Sequence, residues 1–311
     1  MRSTPPILLL IYNRPSLTRK ILSRVREMAP PILFVAADGP QEGDQVNIQL
    51  CMETRSVVEQ IDWPCELHTL FRDRNLGCKK AVSDAISWFF SQVDAGIILE
   101  DDCLPTVDFF YFCNILLEKY HNDERIGMIS GNNFGFDLYD NALSYSFSKH
   151  GHIWGWATWK RCWDKFDANL GFLNETNIDL IKTNISDNSE FVEKWWQNVD
   201  TVIKGNLDTW DAQWGVTRYA NNYLTIRPKV NLVANIGFGD DATHTKGKSP
   251  DVYTLTGDLE FPLVHPKNVV PDRMADKKLE QFFLSAFPRK ITHVSQIVKR
   301  IKNRIVRLFF N

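Results

Sequence analysis

The chain has 311 residues, of which 44% are hydrophobic and 24% charged, so it can bury one large core or two modest ones. This composition is not that of a disordered chain. The formal net charge of −2 argues against a general attraction to nucleic acid, and we expect no nucleic-acid partner. The six cysteines form no CxxC pair, so neither a zinc knuckle nor a redox dithiol is indicated.

Two segments bear on localisation. The apolar run at residues 7–11 is too short for a secretory signal or a membrane span, so we expect a cytoplasmic protein. Residues 289–311 repeat apolar side chains at intervals of three and four among many basic residues, which predicts a basic amphipathic helix. Such a helix suits peripheral association with the inner face of the membrane. The alternative is a helix docked on its own domain or on a partner.

Short apolar runs alternate with segments of helical character through the first half of the chain. Runs of this length suit strands that are covered on both faces. They lie at residues 7–11, 32–37, 66–71, 96–99 and 126–130. The helical segments lie between them, at residues 16–28, 46–61, 79–93 and 109–120. The alternation predicts an α/β fold with a mostly parallel central sheet flanked by helices.

Polar residues follow nearly every predicted strand at its carboxyl end, the edge at which ligands of such sheets bind. These residues are Asn13 and Arg14, Asp38, Arg72, and the run Glu100-Asp101-Asp102. The chain contains neither a GxxxxGK[ST] loop nor a GxGxxG turn after a strand, which argues against a P-loop or a dinucleotide site. The pattern predicts a nucleotide-type site in the first half without naming the nucleotide.

Three consecutive carboxylates, Glu100, Asp101 and Asp102, end the fourth predicted strand. Like charges in this position repel one another and lose hydration, so a bound cation would stabilise them. Oxygen ligands suit Mg²⁺ or Mn²⁺, which usually keep water ligands and share coordination with substrate phosphates. The alternative is a solvated acidic turn.

Several short blocks, taken in order and spacing over roughly residues 7–246, resemble one family of enzymes. The blocks are Asp38-Gly39-Pro40, Arg74-Asn75-Leu76-Gly77, Glu100-Asp101-Asp102, Trp210-Asp211, Ile226-Arg227-Pro228, Asn235-Ile236-Gly237-Phe238-Gly239 and Thr243-His244-Thr245. They resemble the glycosyltransferase A (GT-A) fold. The acidic triplet is similar to the DXD-type motif of N-acetylglucosaminyltransferase I and of protein-O-mannose N-acetylglucosaminyltransferase.

The resemblance implies roles for the residues of the donor half. Asp102 would ligate Mn²⁺ or Mg²⁺ directly, while Glu100 and Asp101 would hold the ribose and the groups around the metal. Asp38 would recognise uracil. Lys79 stands where the family has a donor-binding histidine, so its role is open, although a lysine near phosphates is chemically reasonable.

Further donor contacts are expected at two strand ends. Asn13 and Arg14 follow the first strand, and Arg72 follows the third. The resemblance makes Arg72 a second candidate for binding the pyrophosphate. His244 has two interpretations. It would ligate the metal or the pyrophosphate from a loop that closes over the donor, or it is a surface histidine.

The acceptor side carries a candidate general base, Asp211, between Trp210 and Trp214. An apolar setting favours proton uptake by a carboxylate, which suits a base that deprotonates an acceptor hydroxyl. The aspartate at this position in the resembled family has that role. Asp208 is the alternative, and we expect it instead to cap the helix that follows it.

Tryptophans crowd the second half of the chain, and they have two interpretations. Trp156 and Trp210 are candidates for contact with the acceptor sugar, because indole faces stack on pyranose rings. Core packing is the alternative and is expected to account for about half of these tryptophans. The two histidines at 150 and 152 have no suitably spaced third ligand, so a zinc site there is not expected.

The sequence therefore predicts a metal-dependent, inverting glycosyltransferase that uses a nucleoside-diphosphate sugar, with uridine as the expected nucleoside. We expect one catalytic domain at 1–265, with a donor half at about 1–135 and an acceptor half at about 136–265, then a helical tail at 266–311. Surface polysaccharide or glycolipid synthesis would supply the glycan or glycolipid acceptor. The alternatives are a catalytically silent carbohydrate-binding or scaffolding protein, and a sugar-1-phosphate nucleotidyltransferase.

Overall fold

The computed structural model of the chain describes residues 4–134, 142–238 and 254–286. A large central sheet flanked by helices dominates these residues, so the predicted α/β class is confirmed. The eight strands of this sheet lie in the order β3-β2-β1-β4-β8-β6-β9-β7, and β10 and β5 form a separate pair.

The first half of the sheet is parallel, as the alternation of strands and helices predicts. Its strands are β1 (Ile7–Ile11), β2 (Ile32–Ala37), β3 (Glu66–Phe71) and β4 (Ala95–Glu100). Helices α1 (Pro15–Met28), α2 (Gln45–Ser56) and α3 (Cys78–Phe90) connect them, with one 3₁₀ turn at Val57–Gln60. Strand β1 is central, because it pairs in parallel with both β2 and β4.

The second half of the chain completes the sheet with both strand directions, and so the sheet as a whole is mixed. Its elements are β5 (Cys103–Pro105), α4 (Val107–Lys119), β6 (Ile126–Ser130), β7 (Tyr145–Ser148), β8 (Trp156–Trp159), α5 (Lys160–Trp163), α6 (Glu175–Ile185), α7 (Ser189–Ile203), α8 (Asp211–Ala220), β9 (Leu224–Pro228), β10 (Val233–Asn235) and α9 (Arg273–Ala286). Strand β8 runs antiparallel to both of its neighbours, β4 and β6.

The predicted strands agree with the observed ones to within a residue at each end, and one expectation about them is wrong. Residues 66–71 were expected to be covered on both faces, yet β3 is an edge strand with most of its side chains exposed. The helix expected to continue to residue 61 instead ends at Ser56 and tightens into the 3₁₀ turn.

Most tryptophans of the second half of the chain are buried in the core, which is more than the half that was expected. Trp156 has no exposed surface, and its ring stacks on that of Trp210 with a centroid distance of 5.6 Å and an interplanar angle of 21°. Trp163 packs against both of these rings, and Trp214 packs against Trp156 and Trp163. Since β8 carries Trp156 beside β4, this aromatic cluster joins the two halves of the sheet.

The last described helix, α9, packs against the β7 side of the sheet through buried charges. Asp276 accepts hydrogen bonds from Ser148 Oγ at 2.5 Å and from the Lys149 backbone N–H at 3.1 Å. Glu280 Oε1 lies 3.0 Å from His150 Nε2. The predicted membrane-surface helix at 289–311 lies outside the described residues. Within the described ranges, no helix combines the length and apolar character needed to cross a membrane.

Two Asp–Arg pairs have the same separation but differ in burial, so a buried and an exposed pair can be compared for their contribution to the free energy of unfolding. Arg227 lies 3.8 Å from Asp276 with both side chains buried, whereas Arg273 lies 3.8 Å from Asp187 with both exposed. Asp276→Ala takes this carboxylate from the buried Arg227 guanidinium, removes the hydrogen bonds from Ser148 and Lys149, and should lower the free energy of unfolding by about 3–5 kcal/mol. Asp187→Ala should cost less than about 1 kcal/mol. Urea unfolding measures both losses of stability. Equal losses would show that the buried carboxylate stabilises the fold no more than the exposed one.

Candidate functional site

A cavity of about 660 Å³ opens at the carboxyl ends of β1, β2 and β4. It is lined by several of the predicted residues: Asn13, Arg14, Asp38, Arg72, Glu100, Asp101, Asp102, Trp210 and Asp211. The edge of the sheet that the sequence pattern indicated is therefore the edge that carries the cavity. Segments from both halves of the chain form its wall.

Arg14 is the cation closest to the acidic triplet. It occupies the N-cap position of α1, directly before Pro15, whose fixed φ suits the first helical position. Its Nη1 lies 3.3 Å from Asp101 Oδ1 and 3.1 Å from Asp102 Oδ2. Arg14 reaches both carboxylates because β1 and β4 are parallel neighbours, so that the loops after them lie side by side.

The acidic triplet lies in the tight connection from β4 to β5, where Glu100 is the last residue of β4. Asp102 is held by its backbone, whose carbonyl accepts a hydrogen bond from the Ile236 N–H at 2.8 Å. Gly237 packs so closely on Asp102 that a Cβ atom there would lie 2.4 Å from Asp102 Oδ2. The two sequence blocks around residues 100–102 and 235–237 therefore form one unit.

Burial shifts the pKa values of two residues of the triplet, Glu100 and Asp101. It raises the pKa of Glu100 well above its ordinary value, and the charges of Asp102 and Asp101 raise it further. Burial also raises the pKa of Asp101, to about 7, although Arg14 opposes the shift. Glu100 Oε1 is buried and has no hydrogen-bond partner among the described residues. The triplet is therefore short of positive charge and of hydrogen-bond donors.

The donor set suits a divalent metal that is shared with a ligand. Across the described part of the chain, no three His, Cys, Asp or Glu side chains are arranged to hold a metal by themselves. The cavity lining nevertheless contains six carboxylates and only two arginines. A hard cation held by Asp102 would use phosphate oxygens and waters as its other ligands, as Mg²⁺ and Mn²⁺ commonly do.

Asp38, at the end of β2, connects the sequence block at residues 38–40 with the block at residues 74–77. Its Oδ1 accepts hydrogen bonds from the backbone N–H groups of Gly39 at 2.8 Å and Leu76 at 2.9 Å. A Cβ at Gly39 would lie 2.2 Å from the backbone carbon of Arg74, so only glycine allows this approach. Burial raises the pKa of Asp38, while its hydrogen bonds with Leu76 and Gly39 oppose the shift.

The two basic candidates beyond Arg14 differ in position. Arg72 lines the cavity, and its Nη2 lies 3.8 Å from Asp84 Oδ2. Lys79 does not line the cavity, and its Nζ lies 3.3 Å from Asn169 Oδ1. The structure therefore brings Arg72, but not Lys79, to the other predicted donor-binding residues.

Asp211 is the first residue of α8, and its carboxylate lines the cavity. Oδ1 accepts hydrogen bonds from the Thr209 hydroxyl and from the Ala212 N–H. The expected framing by two indoles is wrong, because Trp210 and Trp214 are buried in the core while Asp211 is exposed. Asp211 is thus exposed to solvent in the cavity and does not lie in an apolar environment.

Asp208 caps a helix, but not the expected one. Its carboxylate accepts hydrogen bonds from the backbone N–H groups of Cys78 at 2.8 Å and Lys79 at 3.0 Å, which are the first two residues of α3. The helix that follows Asp208 in sequence has Trp210 at its N-cap position and no side-chain cap. The expectation fails because the cap is supplied across tertiary space.

Of the two acceptor candidates, Trp210 lines the cavity and Trp156 does not. Trp156 lies beneath Trp210 in the core. His244 lies outside the described residues. Tyr12 and Gln41 also line the cavity without having been singled out. The position of Tyr12 at the end of β1 was an available signal, whereas nothing in the sequence pattern indicates Gln41.

The raised pKa of Asp101 gives a pH-dependent prediction. A carboxyl with a higher pKa in the folded chain than in the unfolded chain stabilises the fold at low pH and loses this advantage as the pH rises towards 7. Asparagine does not titrate. The stability of Asp101→Asn relative to the unaltered protein should therefore rise between about pH 4 and about pH 8, as measured by urea unfolding in EDTA.

Asp123 provides a control with the opposite sign. The side-chain hydrogen bond from Arg125 lowers the pKa of Asp123, so its contribution to stability is present at neutral pH and is lost as the pH falls. The relative stability of Asp123→Asn should therefore rise as the pH falls from about 5 to about 2, and should change little between about pH 5 and about pH 8. The same sign of change in both variants would contradict the assigned environments.

Comparisons with known proteins name no family. No family model matches the sequence, and no curated protein matches it. A cytidylyltransferase from Leptospira borgpetersenii serovar Hardjo-bovis has a TM-score of 0.35 at 12% identity, covering 60% of this chain and 73% of that chain. HddC from Yersinia pseudotuberculosis has a TM-score of 0.32 at 11% identity, covering 55% of this chain and 86% of that chain.

A glycosyltransferase is also among the similar structures. The apo-form glycosyltransferase GlyE of Streptococcus pneumoniae TIGR4 has a TM-score of 0.28 at 10% identity, covering 72% of this chain and 45% of that chain. These neighbours thus include a nucleotidyltransferase and a glycosyltransferase. At these TM-scores the likenesses carry no argument about activity, and the case for a function depends on the cavity itself.

Proposed function

We propose that this chain is a divalent-metal-dependent glycosyltransferase that transfers a sugar from a uridine-diphosphate donor to an acceptor hydroxyl, with inversion at the anomeric carbon. The observation that carries the proposal is the convergence of three groups in one cavity. The acidic triplet lies at the end of β4, Asp38 lies at the end of β2, and Asp211 faces the same space from α8.

The charge of the cavity supports the requirement for a metal. Its lining has six carboxylates against two arginines, and one of these, Arg14, is already paired with Asp101 and Asp102. A nucleoside diphosphate is itself an anion, so it would be repelled unless a cation accompanied it. Asp102 would hold that cation, which when bound would stabilise negative charge on the departing diphosphate.

The proposed transfer is a single displacement. Asp211 takes the proton of the acceptor hydroxyl while the hydroxyl oxygen forms a new bond to the anomeric carbon. The bond from that carbon to the diphosphate oxygen breaks, and its electron pair leaves with the diphosphate. The Thr209 hydroxyl donates a hydrogen bond to Asp211 Oδ1 and so orients the carboxylate. Attack opposite the leaving group inverts the anomeric centre.

Donor selection is proposed to begin at Asp38. Two backbone N–H groups, from Gly39 and Leu76, hold its carboxylate at the rim of the cavity. A carboxylate can accept a hydrogen bond from the imide N–H of uracil, while cytosine offers an acceptor at that ring position. An unpaired buried acceptor costs roughly 1–3 kcal/mol, which favours uridine over cytidine diphosphate.

The first functional prediction concerns metal-dependent binding. Titration calorimetry should show that UDP binds in Mn²⁺ but not in EDTA, and that UDP binds more tightly than CDP or GDP. Asp102→Ala should abolish the metal-dependent binding without unfolding the chain. Asp164→Ala removes a carboxylate from an exposed Lys160 pair and is the control. Equal UDP affinity in Mn²⁺ and in EDTA would contradict the proposal.

The second functional prediction assigns Asp211 to the acceptor. Asp211→Asn keeps the shape of the side chain but removes its basicity, so turnover should fall by about 10²–10⁴-fold while UDP affinity stays the same. Transfer assays beside UDP titrations, with Asp164→Asn as control, separate the two effects. Normal transfer by Asp211→Asn would place the base elsewhere and remove the reason for expecting inversion.

The products that are formed distinguish the alternative activities. A sugar-1-phosphate nucleotidyltransferase would release pyrophosphate from a nucleoside triphosphate and a sugar 1-phosphate. A catalytically silent carbohydrate-binding protein would bind a glycan but release no UDP from any UDP-sugar. Either result would replace the proposed transfer reaction.

A further inference from the structure

The segment that carries Asp211 is attached to α3 across the cavity wall. Gly77 and the first half of helix α3 contribute one part of the lining, and residues 207–211 contribute another part. Asp208 joins the two. Its Oδ2 accepts from the Cys78 N–H and its Oδ1 from the Lys79 N–H, at 2.8 and 3.0 Å.

The N-terminus of α3 has space for a capping carboxylate that comes from a distant part of the chain. Its N-cap residue is Gly77, which has no side chain to cap the helix and has a φ of 80°. A Cβ at Gly77 would lie 2.5 Å from Asp208 Oδ2, so the absence of a side chain leaves room for Asp208. The free N–H groups of a first helical turn favour a negative partner.

The segment is fixed at a second point just before Asp211. Trp210 is 1% exposed and stacks on Trp156 in the core. Asp211 follows directly and begins α8. Asp208 and Trp210 thus hold this short segment at two points, and the α3 contact determines how far its start lies from the donor half.

We propose that Asp208 is a positioning residue, which rests on the proposed function: it fastens residues 207–211 to α3 and thereby places Asp211 for proton transfer. Asp208 itself takes no proton in this proposal, because both of its carboxylate oxygens accept hydrogen bonds from the first turn of α3. Misplacement of a reacting group by about 1 Å can cost on the order of 100-fold in rate, so the attachment affects turnover more than donor binding.

The contact can be broken from either side. Asp208→Ala removes the carboxylate. Gly77→Ala pushes a methyl group against it and also strains the backbone, which has a φ of 80° at this position. Each should lower the rate of transfer by about 10- to 100-fold with UDP affinity changed less than about twofold. Asp208→Asn keeps one acceptor oxygen and should recover part of the rate. Because both substitutions break one contact, the double variant should be no slower than the slower single one.

Hydrogen exchange tests the attachment without any activity. In Asp208→Ala, the backbone amides of residues 78–80 and 207–212 should exchange faster, while those of β1 should not change. Rates come from UDP release from UDP-glucose, UDP-galactose and UDP-N-acetylglucosamine, first with the unaltered chain. No release from any of them would overturn the proposed function, whereas unchanged exchange would overturn the attachment.

Two kinetic outcomes would also overturn the positioning role. If Asp208→Ala weakens UDP binding as much as it slows transfer, Asp208 acts on the donor directly. If Gly77→Ala leaves the rate unchanged although exchange at residues 207–212 increases, the attachment does not control Asp211. A purely structural role would lower the yield or the unfolding midpoint without changing the rate per folded molecule.

Discussion

Three carboxylates at the end of one buried strand are the constraint on which the rest of the site depends. Burial and neighbouring negative charges raise the pKa values of Glu100 and Asp101, so the surrounding fold must supply positive charge to the triplet or leave these two carboxyls protonated. Arg14 supplies the charge from the loop after β1, where it lies within 3.3 Å of Asp101 and 3.1 Å of Asp102. This pairing is possible because β1 is inserted between β2 and β4, with Leu10 opposite Glu100. The strand order therefore decides whether the acidic triplet can be accommodated.

The same constraint shapes what the cavity can bind. Arg14 is shared between Asp101 and Asp102, and the cavity lining as a whole contains six carboxylates but only two arginines. An anionic ligand would have to bring a cation with it, which links the acidic turn to metal-assisted binding of a diphosphate. The close approach of Gly237 to Asp102 leaves little space for the carboxylate to move on that side. The geometry therefore favours a fixed position for the Asp102 carboxylate and simultaneous binding of the metal and the diphosphate.

The two halves of the chain meet in the core and at the cavity wall. In the core, Trp156 from β8 stacks on Trp210, and β8 pairs with β4. At the wall, Asp208 reaches the first turn of α3. The first contact is apolar and buried, and it supports the mixed half of the sheet. The second contact consists of exposed hydrogen bonds, and in our proposal it affects the position of Asp211 more than the stability of the fold. Donor-side and acceptor-side groups are thereby held in one frame.

The sequence by itself determined the parts of this protein that depend on local pattern. Apolar runs located β1, β2, β4 and β6, because a strand covered by helices needs consecutive apolar residues. The bounds of β3 were also located, although that strand is exposed at the edge of the sheet. Polar residues after those runs located the ligand-binding edge, and the triplet at 100–102 marked its charged centre. The GT-A resemblance and the roles it implies, including those of His244 and the segment 289–311, stay predictions.

Tertiary structure decided the features that depend on which distant segments meet. It made β3 an edge strand, placed Trp156 in the core and paired Arg14 with the triplet. It also directed Asp208 to a helix about 130 residues away in sequence instead of to the adjacent helix. No local pattern carries this information, because burial and hydrogen bonding at these positions depend on partners that only strand order and helix packing bring together.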